Sequence, residues 1–157
     1  MRVERIAAVA ASLLVAFALC CAGASSRVAA QESPQSQHDA ASKTAKFGSV
    51  EKTSDAYKSA LDAHDLEGAS KLVGKDGAFR GTVAKVFEQR DGSLLIIDFD
   101  PNFRTALTAV LRRADYAKFP DVRELEGKEI VVSGKFTDFR GRAQIELSDP
   151  AQIKIVK

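Results

Sequence analysis

The side chains best suited to chemistry are an aromatic ring and two guanidinium groups on a glycine turn, Phe139-Arg140-Gly141-Arg142. A guanidinium can pair bidentately with a phosphate or stack on a base, and an aromatic ring offers a face for base stacking. This combination is typical of surfaces that bind single-stranded nucleic acid. The alternative is that these residues serve turn geometry and solubility, with Phe139 packed on the fold.

Further cations and aromatics occur nearby in the sequence, and core alternation does not explain Phe103, Tyr116 or Phe139. We therefore predict a ligand-binding surface that combines aromatic faces with cations. Its predicted residues are Phe103, Arg104, Arg112, Lys135, Phe139, Arg140 and Arg142.

The sequence does not indicate catalysis. It has no Ser–His–Asp constellation, no phosphate-binding glycine loop and no Cys/His cluster. Asp98 and Asp100 share one strand parity, opposite to Leu95, Ile97 and Phe99, which predicts that both carboxylates face water on the outer side of the sheet. We interpret His38 and His64 as solvated residues. The prediction is a protein that is not an enzyme and has no catalytic residue, metal ligand or cofactor.

The first 30 residues have the pattern of a secretory signal peptide. Arg2 and Arg5 precede an apolar run, and small residues then offer cleavage after Ala24 or after Ala30. An uncleaved membrane anchor is the alternative, although the run is at the short end of what spans a bilayer. Lipidation at Cys21 is disfavoured, because Cys20 and Ala18 do not fit a lipobox. We expect a periplasmic or secreted protein that has no integral membrane segment after cleavage.

Removal of residues 1–30 changes the charge and the cysteine content. The chain has 23 basic and 21 acidic side chains, and this segment holds three of the basic ones and one of the acidic ones. The mature protein is then formally neutral, which argues against strong sequence-blind DNA binding but allows a local basic surface. Both cysteines lie within the segment, so disulfides and cysteine metal sites are excluded after cleavage.

The mature chain starts with segments that precede the predicted sheet. Residues 31–48 are rich in Gln, Ser, Ala and Lys, which predicts a disordered tether. Residues 49–73 are predicted to be a helical segment, either one interrupted helix or two short ones, capped by Thr53 or Ser54 and ended by Gly74. We expect the apolar residues of this segment, Leu61, Leu66, Leu72 and Val73, to pack on the bottom of a barrel.

Residues 74–157 show the period-two alternation of strands. The first predicted strand, 78–89, needs a bulge near Ala84 or Lys85, because Val86 breaks the parity of Phe79 and Val83. Four more strands follow, at 94–100, 105–111, 130–136 and 143–147, with a further extended piece after Pro150. Five strands with a short helix between the third and the fourth favour a mainly β fold, a five-stranded Greek-key barrel of the OB type with an N-terminal helical segment.

The stretch from Leu72 to Val156 resembles a family of small exported bacterial OB-fold proteins. It is similar to the OB domains of nucleic-acid-binding proteins of the tRNA-anticodon and helicase-associated type. The most specific parts of the resemblance are Gly127-Lys128, Gly134, the turn at 139–142 and the run at 149–153. One departure is Leu107-Thr108, where family members often carry an aromatic residue; Phe103 or Phe99 is a candidate substitute. The resemblance implies a barrel that binds an extended ligand on its second and third strands.

Two functions remain open from the sequence, because an OB fold accepts nucleic acid, sugar and protein ligands alike. The first is binding of single-stranded nucleic acid or an oligonucleotide. The alternative is a non-catalytic module of the cell envelope that binds a protein, peptide or glycan. A basic stripe across the second and third strands and the Phe139 turn favours the first, and an apolar or evenly mixed groove favours the second.

Overall fold

The computed structural model describes residues 36–157, and they form a mainly β unit. The predicted signal peptide and residues 31–35 lie outside the described residues. The helices are α1 (Gln37–Ala40), α2 (Asp55–Lys58) and α3 (Leu66–Lys71), with 3-10 helices η1 (Arg113–Lys118), η2 (Val122–Leu125) and η3 (Pro150–Gln152). The strands are β1 (Gly48–Val50), β2 (Leu61–Asp62), β3 (Asp76–Thr82), β4 (Lys85–Glu88), β5 (Leu94–Asp98), β6 (Thr108–Arg112), β7 (Glu129–Asp138), β8 (Ala143–Leu147) and β9 (Ile153–Val156).

The strands form one curled, mixed sheet. β4 pairs with β5 and β5 with β6 in antiparallel fashion, while β6 pairs with β8 in parallel. β8 and then β3 pair with β7 in antiparallel fashion. This series of paired strands starts at β4 and ends at β3. Only Val83 and Ala84 separate β3 from β4, so the series starts and ends at neighbouring parts of the chain.

The predicted bulge in the first strand is the point at which the chain changes partners. The backbone N–H of Val83 donates to the Lys128 carbonyl at 3.0 Å, beside β7, and the N–H of Ala84 donates to the Asp98 carbonyl at 2.9 Å, in β5. The strand predicted over 78–89 is therefore divided into β3 and β4. This change of partner strand accounts for the break in apolar parity at Val86.

Residues 36–157 form nine strands, where the sequence predicted five. The division of the first strand adds one, and β9 is the extended piece predicted after Pro150. β1 pairs in parallel with β9, and the two-residue β2 pairs in parallel with β3. Strands this short carry too few residues for alternation to be recognised in the sequence.

The core lies on the inner side of the curled sheet, and the strand residues that face it have the predicted parity. Val83, Ile97, Val132 and Ile145 are all buried. Gly134 is required in β7, because a Cβ there would lie 2.6 Å from Nε2 of Gln152 and 3.0 Å from Cγ2 of Ile145. The close approach of these side chains explains why glycine interrupts an otherwise apolar strand.

The prediction of a disordered tether over 31–48 was wrong for residues 36–48. Gln37 is buried; its Nε2 donates to the Pro120 carbonyl at 3.1 Å, and its Oε1 accepts from the Val122 N–H at 3.4 Å. Phe47 packs against the core. Composition indicated disorder because the segment is mostly polar. One buried amide and one aromatic ring nevertheless hold it against the fold.

The segment predicted to be helical, residues 49–73, begins within β1, so the prediction was wrong there, and it continues as two short helices separated by β2. Ser54 caps α2 and Asp65 caps α3, each by accepting a backbone N–H on its side-chain oxygen. Leu61 and Leu72 pack against the core as predicted, but Leu66 and Val73 are exposed. Leu66 is the first residue of α3, and Val73 follows its C-cap, Leu72, so both lie at the ends of this helix.

Candidate ligand-binding groove

An open groove of about 430 Å³ runs across the outer face of β4, β5, β6 and β8. Leu94, Ile96 and Asp98 face it, because they alternate along β5 with the core residues Leu95 and Ile97. The residues that line this groove are Phe87, Gln89, Leu94, Ile96, Asp98, Phe103, Thr108, Val110, Arg112, Phe139, Arg142 and Gln144.

Three exposed aromatic rings stand in the groove. Phe87 is 38% exposed, Phe103 51% and Phe139 56%. Phe87 lies on β4, Phe103 in the loop between β5 and β6, and Phe139 at the turn between β7 and β8. Large apolar side chains grouped on a surface mark a binding site more often than scattered ones do.

Each of these rings has a cation beside it. Nζ of Lys85 lies 5.9 Å from the ring centroid of Phe87, and Cζ of Arg140 lies 5.3 Å from that of Phe139. Phe103 has two such neighbours, with Cζ of Arg104 at 5.5 Å and Cζ of Arg142 at 5.1 Å. These are cation–π distances, and they place positive charge at the rim of an otherwise apolar groove.

The turn between β7 and β8 fixes the positions of Phe139 and Arg142. These two residues exchange backbone hydrogen bonds, with N–H to carbonyl distances of 2.8 and 3.2 Å. Arg140 and Gly141 between them have φ values of 56° and 80°, as in a two-residue hairpin of type I′. The N–H of Gly141 also donates to Oδ1 of Asp138 at 3.1 Å. Glycine at 141 is therefore a backbone requirement of the turn that positions Phe139 and Arg142.

Arg112 is neutralised within the protein. Its Nη2 donates to Oε2 of Glu146 at 3.0 Å and its Nε to Oε1 of the same carboxylate, a bidentate pair. Its guanidinium therefore contributes less positive charge to the groove than Arg140 or Arg142.

Asp98 is the acidic residue of the groove lining, and it is only 7% exposed. Its Oδ1 has no hydrogen-bond partner among residues 36–157. Burial raises the pKa of this carboxyl, and the charges of Arg142 and Lys85 offset that rise only in part. The prediction that Asp98 faces outward was right in parity, but the prediction that it lies in water was wrong, because the surrounding groove residues shield it.

The structure brings most of the predicted binding residues to one place. Phe103, Arg112, Phe139 and Arg142 line the groove. Arg140 and Arg104 lie beside its aromatic rings, and Arg104 also lines a neighbouring cavity of about 250 Å³ that shares Phe103 and Arg142 with the groove. Lys135 is not part of this set; it lies on β7 opposite Asp76.

Sequence reasoning missed Phe87, Ile96, Val110 and Asp98. The signal for Ile96 was present in the run Leu94-Leu95-Ile96-Ile97, which is apolar on both parities and so predicts two covered faces. Phe87 has the parity opposite to the buried Val86, so it had to point outward. Tyr116 and Phe99, considered as stacking aromatics, are buried instead.

His64 connects the loop that carries Phe103 to the segment around β2. Its Nδ1 lies 3.1 Å from Oδ1 of Asp62 and its Nε2 lies 3.3 Å from Oδ2 of Asp100. Hydrogen bonds to these two carboxylates raise the pKa of His64. The expectation that His64 is a merely solvated residue was incomplete, since the imidazole bridges two segments.

Within residues 36–157, no group of three His, Cys, Asp or Glu side chains is placed to hold a metal ion. No helix in the same residues has the length and apolar character needed to cross a membrane.

No protein-family model fits the chain, and no curated protein is significantly similar to it.

Proposed function

We propose that this protein is a non-catalytic binding module whose groove takes single-stranded nucleic acid or a short oligonucleotide. The proposed scaffold is a five-stranded OB-type barrel made of β3 with β4, β5, β6, β7 and β8. Antiparallel neighbours with one parallel pair, β6 with β8, support this assignment. Strands two and three of such a barrel, here β5 and β6, carry the ligand face.

The observation that carries the proposal is the pairing of each groove aromatic with a cation. Single-strand binding combines rings on which bases stack with positive groups that meet the phosphates. Phe87, Phe103 and Phe139 supply the rings, and Lys85, Arg104, Arg140 and Arg142 supply the charge beside them. The local excess of cations supports phosphate binding even though the mature chain is formally neutral.

One observation favours the second candidate, a module of the cell envelope that binds a peptide, protein or glycan. The floor between the rings is apolar, formed by Leu94, Ile96 and Val110, and Glu146 neutralises Arg112. An apolar peptide side chain fits such a floor. We rank this function second because it does not use the cations beside the three rings.

We also propose that the protein is exported, to the periplasm or beyond the cell, after removal of residues 1–24 or 1–30. The intact mass of protein recovered outside the cytoplasm tests this. A chain that begins at Ser25 or Gln31 supports it, and a diacylglycerol mass on a chain that begins at Cys21 contradicts it.

The test of function is titration of the exported protein with a fluorescein-labelled single strand of 12 nucleotides that contains all four bases, at several salt concentrations. We expect the logarithm of the association constant to fall with the logarithm of salt concentration by about 0.7 for each phosphate neutralised. Double-stranded DNA of the same length is the control and should bind more weakly, because its bases are not free to stack. Absence of binding even at low salt would reject nucleic acid and favour the peptide or glycan ligand.

A further inference from the structure

The groove separates its charges in a way that neither of the two functions requires. The cations Lys85, Arg104 and Arg140 are exposed beside the rings, at the rim. The carboxylate of Asp98 is shielded among the groove residues on β5, directly opposite Thr108 of β6 and Lys85 of β4. A ligand that fits both parts is anionic where it meets the rim and offers hydrogen-bond donors where it meets Asp98.

A nucleotide has this arrangement, since its phosphate is anionic and its base edge carries N–H groups. Asp98 is 7% exposed, and its Oδ1 has no partner among the described residues. A buried polar group without a partner is unfavourable, so a ligand that supplies donors gains affinity there. The carboxylate is therefore a group in the groove that can distinguish one base from another.

The four bases differ in what they offer to a carboxylate. Guanine presents two adjacent donors on its Watson–Crick edge, N1–H and N2–H, which match the two carboxylate oxygens. Adenine and cytosine each present one amino group next to a ring-nitrogen acceptor, and thymine presents one N–H between two carbonyls. In these three bases, an acceptor lone pair would face the carboxylate and oppose binding.

We propose that Asp98 makes the groove selective for guanine, by accepting N1–H and N2–H of a base that stacks on the groove aromatics while its phosphates meet the cations at the rim. This proposal rests on the proposed function and names the ligand of the same site. Oδ1 is enclosed by protein and makes no hydrogen bond within the described chain. The carboxylate therefore has to turn, and the side chains around it have to shift, for both oxygens to meet the base.

The test compares labelled 12-nucleotide oligothymidines that carry a single central guanine, inosine, adenine or cytosine, at neutral pH and low salt. A single guanine avoids quadruplex formation. We expect guanine to bind about tenfold or more tightly than the other natural bases, as is typical of a bidentate base contact. Inosine, which lacks the N2 amino group, should lose most of this preference.

The matched variants are Asp98→Asn and Asp76→Asn. Asp98→Asn keeps the shape of the side chain but replaces one acceptor by a donor, so the preference for guanine should disappear. Asp76 is exposed on β3, outside the groove lining, so Asp76→Asn removes the same charge and should leave the preference unchanged. Melting curves of both variants verify that the fold is intact.

The outcomes separate this proposal from the function beneath it. Binding of all four oligonucleotides with equal affinity would overturn guanine selection and leave single-strand binding standing. Guanine preference that persists in Asp98→Asn would overturn the role of Asp98. Absence of binding to every oligonucleotide would reject the function, and guanine selection would fall with it.

Discussion

The guanidinium of Arg142 lies against the ring of Phe103, with Cζ 5.1 Å from the ring centroid, and its Nη2 donates to the Ala106 carbonyl at 3.2 Å. Arg142 follows the β7–β8 turn, whereas Phe103 and Ala106 belong to the loop between β5 and β6. One side chain thus holds together the two loops that border the groove. A ligand that contacts either loop is affected by the position of the other.

The combined replacement of Phe139, Arg140 and Arg142 by alanine should weaken oligonucleotide binding. Loss of one stacking aromatic costs about 1–3 kcal/mol, and loss of each arginine that meets a phosphate should lower the salt slope by about 0.7. Fluorescence titration across a salt series measures both effects. Lys135→Ala is the matched control, because Lys135 is a cation on β7 outside the groove. Equal binding by the triple variant and the wild type, at equal melting temperature, would place the ligand elsewhere.

Phe87→Ala should reduce oligonucleotide affinity by about five- to a hundredfold, as loss of a stacking ring does. The ring is 38% exposed in the groove, beside Lys85. Its removal therefore leaves no sealed cavity in the core, and the melting temperature should change little. The same titration and a thermal melt measure the two quantities. A large fall in melting temperature without a change in affinity would show that Phe87 supports the fold instead of the ligand.

The sequence predicted the strands more completely than the groove. Alternation identified Leu95, Ile97 and Phe99 as core residues because only one parity of β5 could face the interior. The break in parity predicted an irregularity near Val83 and Ala84. It did not predict that the chain leaves β7 and joins β5 at this point.

The groove was predicted only in part, because its floor depends on which strands lie side by side. Phe139 and Arg142 were found from the turn that carries them. Asp98 was assigned to water, since alternation gives the side of the sheet but not what covers that side. The loop between β5 and β6 brings Phe103 to the same groove lining as Asp98, and no local period of the sequence predicts its path.

Gln37→Ala should destabilise the protein by about 1–3 kcal/mol, the usual cost of leaving buried polar groups unpaired. The side chain is buried, and its amide bonds with the Pro120 carbonyl and the Val122 N–H. Chemical denaturation measures the free energy of unfolding. Gln89→Ala is the control, because Gln89 is an exposed residue of the groove lining and its loss should leave this free energy nearly unchanged. Equal stability of Gln37→Ala and the wild type would restore the prediction of a disordered tether for residues 36–48.

The bridge made by His64 should make stability depend on pH between about pH 5 and pH 8. Hydrogen bonds to Asp62 and then Asp100 raise the pKa of His64 above its ordinary value of 6.5. A group whose pKa is higher in the folded state stabilises the fold fully below its unfolded pKa, and this contribution is lost as pH rises through the folded pKa. The backbone N–H groups of His64 and Asn102 are the main cause that lowers the pKa values of Asp62 and Asp100, respectively, below 3.8, so the two carboxylates stay ionised throughout this range. His64→Gln keeps a polar side chain but cannot carry the charge. We expect its melting temperature to be lower than that of the wild type at pH 5 and the difference to shrink towards pH 8.

A difference that is constant from pH 5 to pH 8 would mean that the imidazole acts by its hydrogen bonds alone and that its charge contributes nothing to the position of the Phe103 loop.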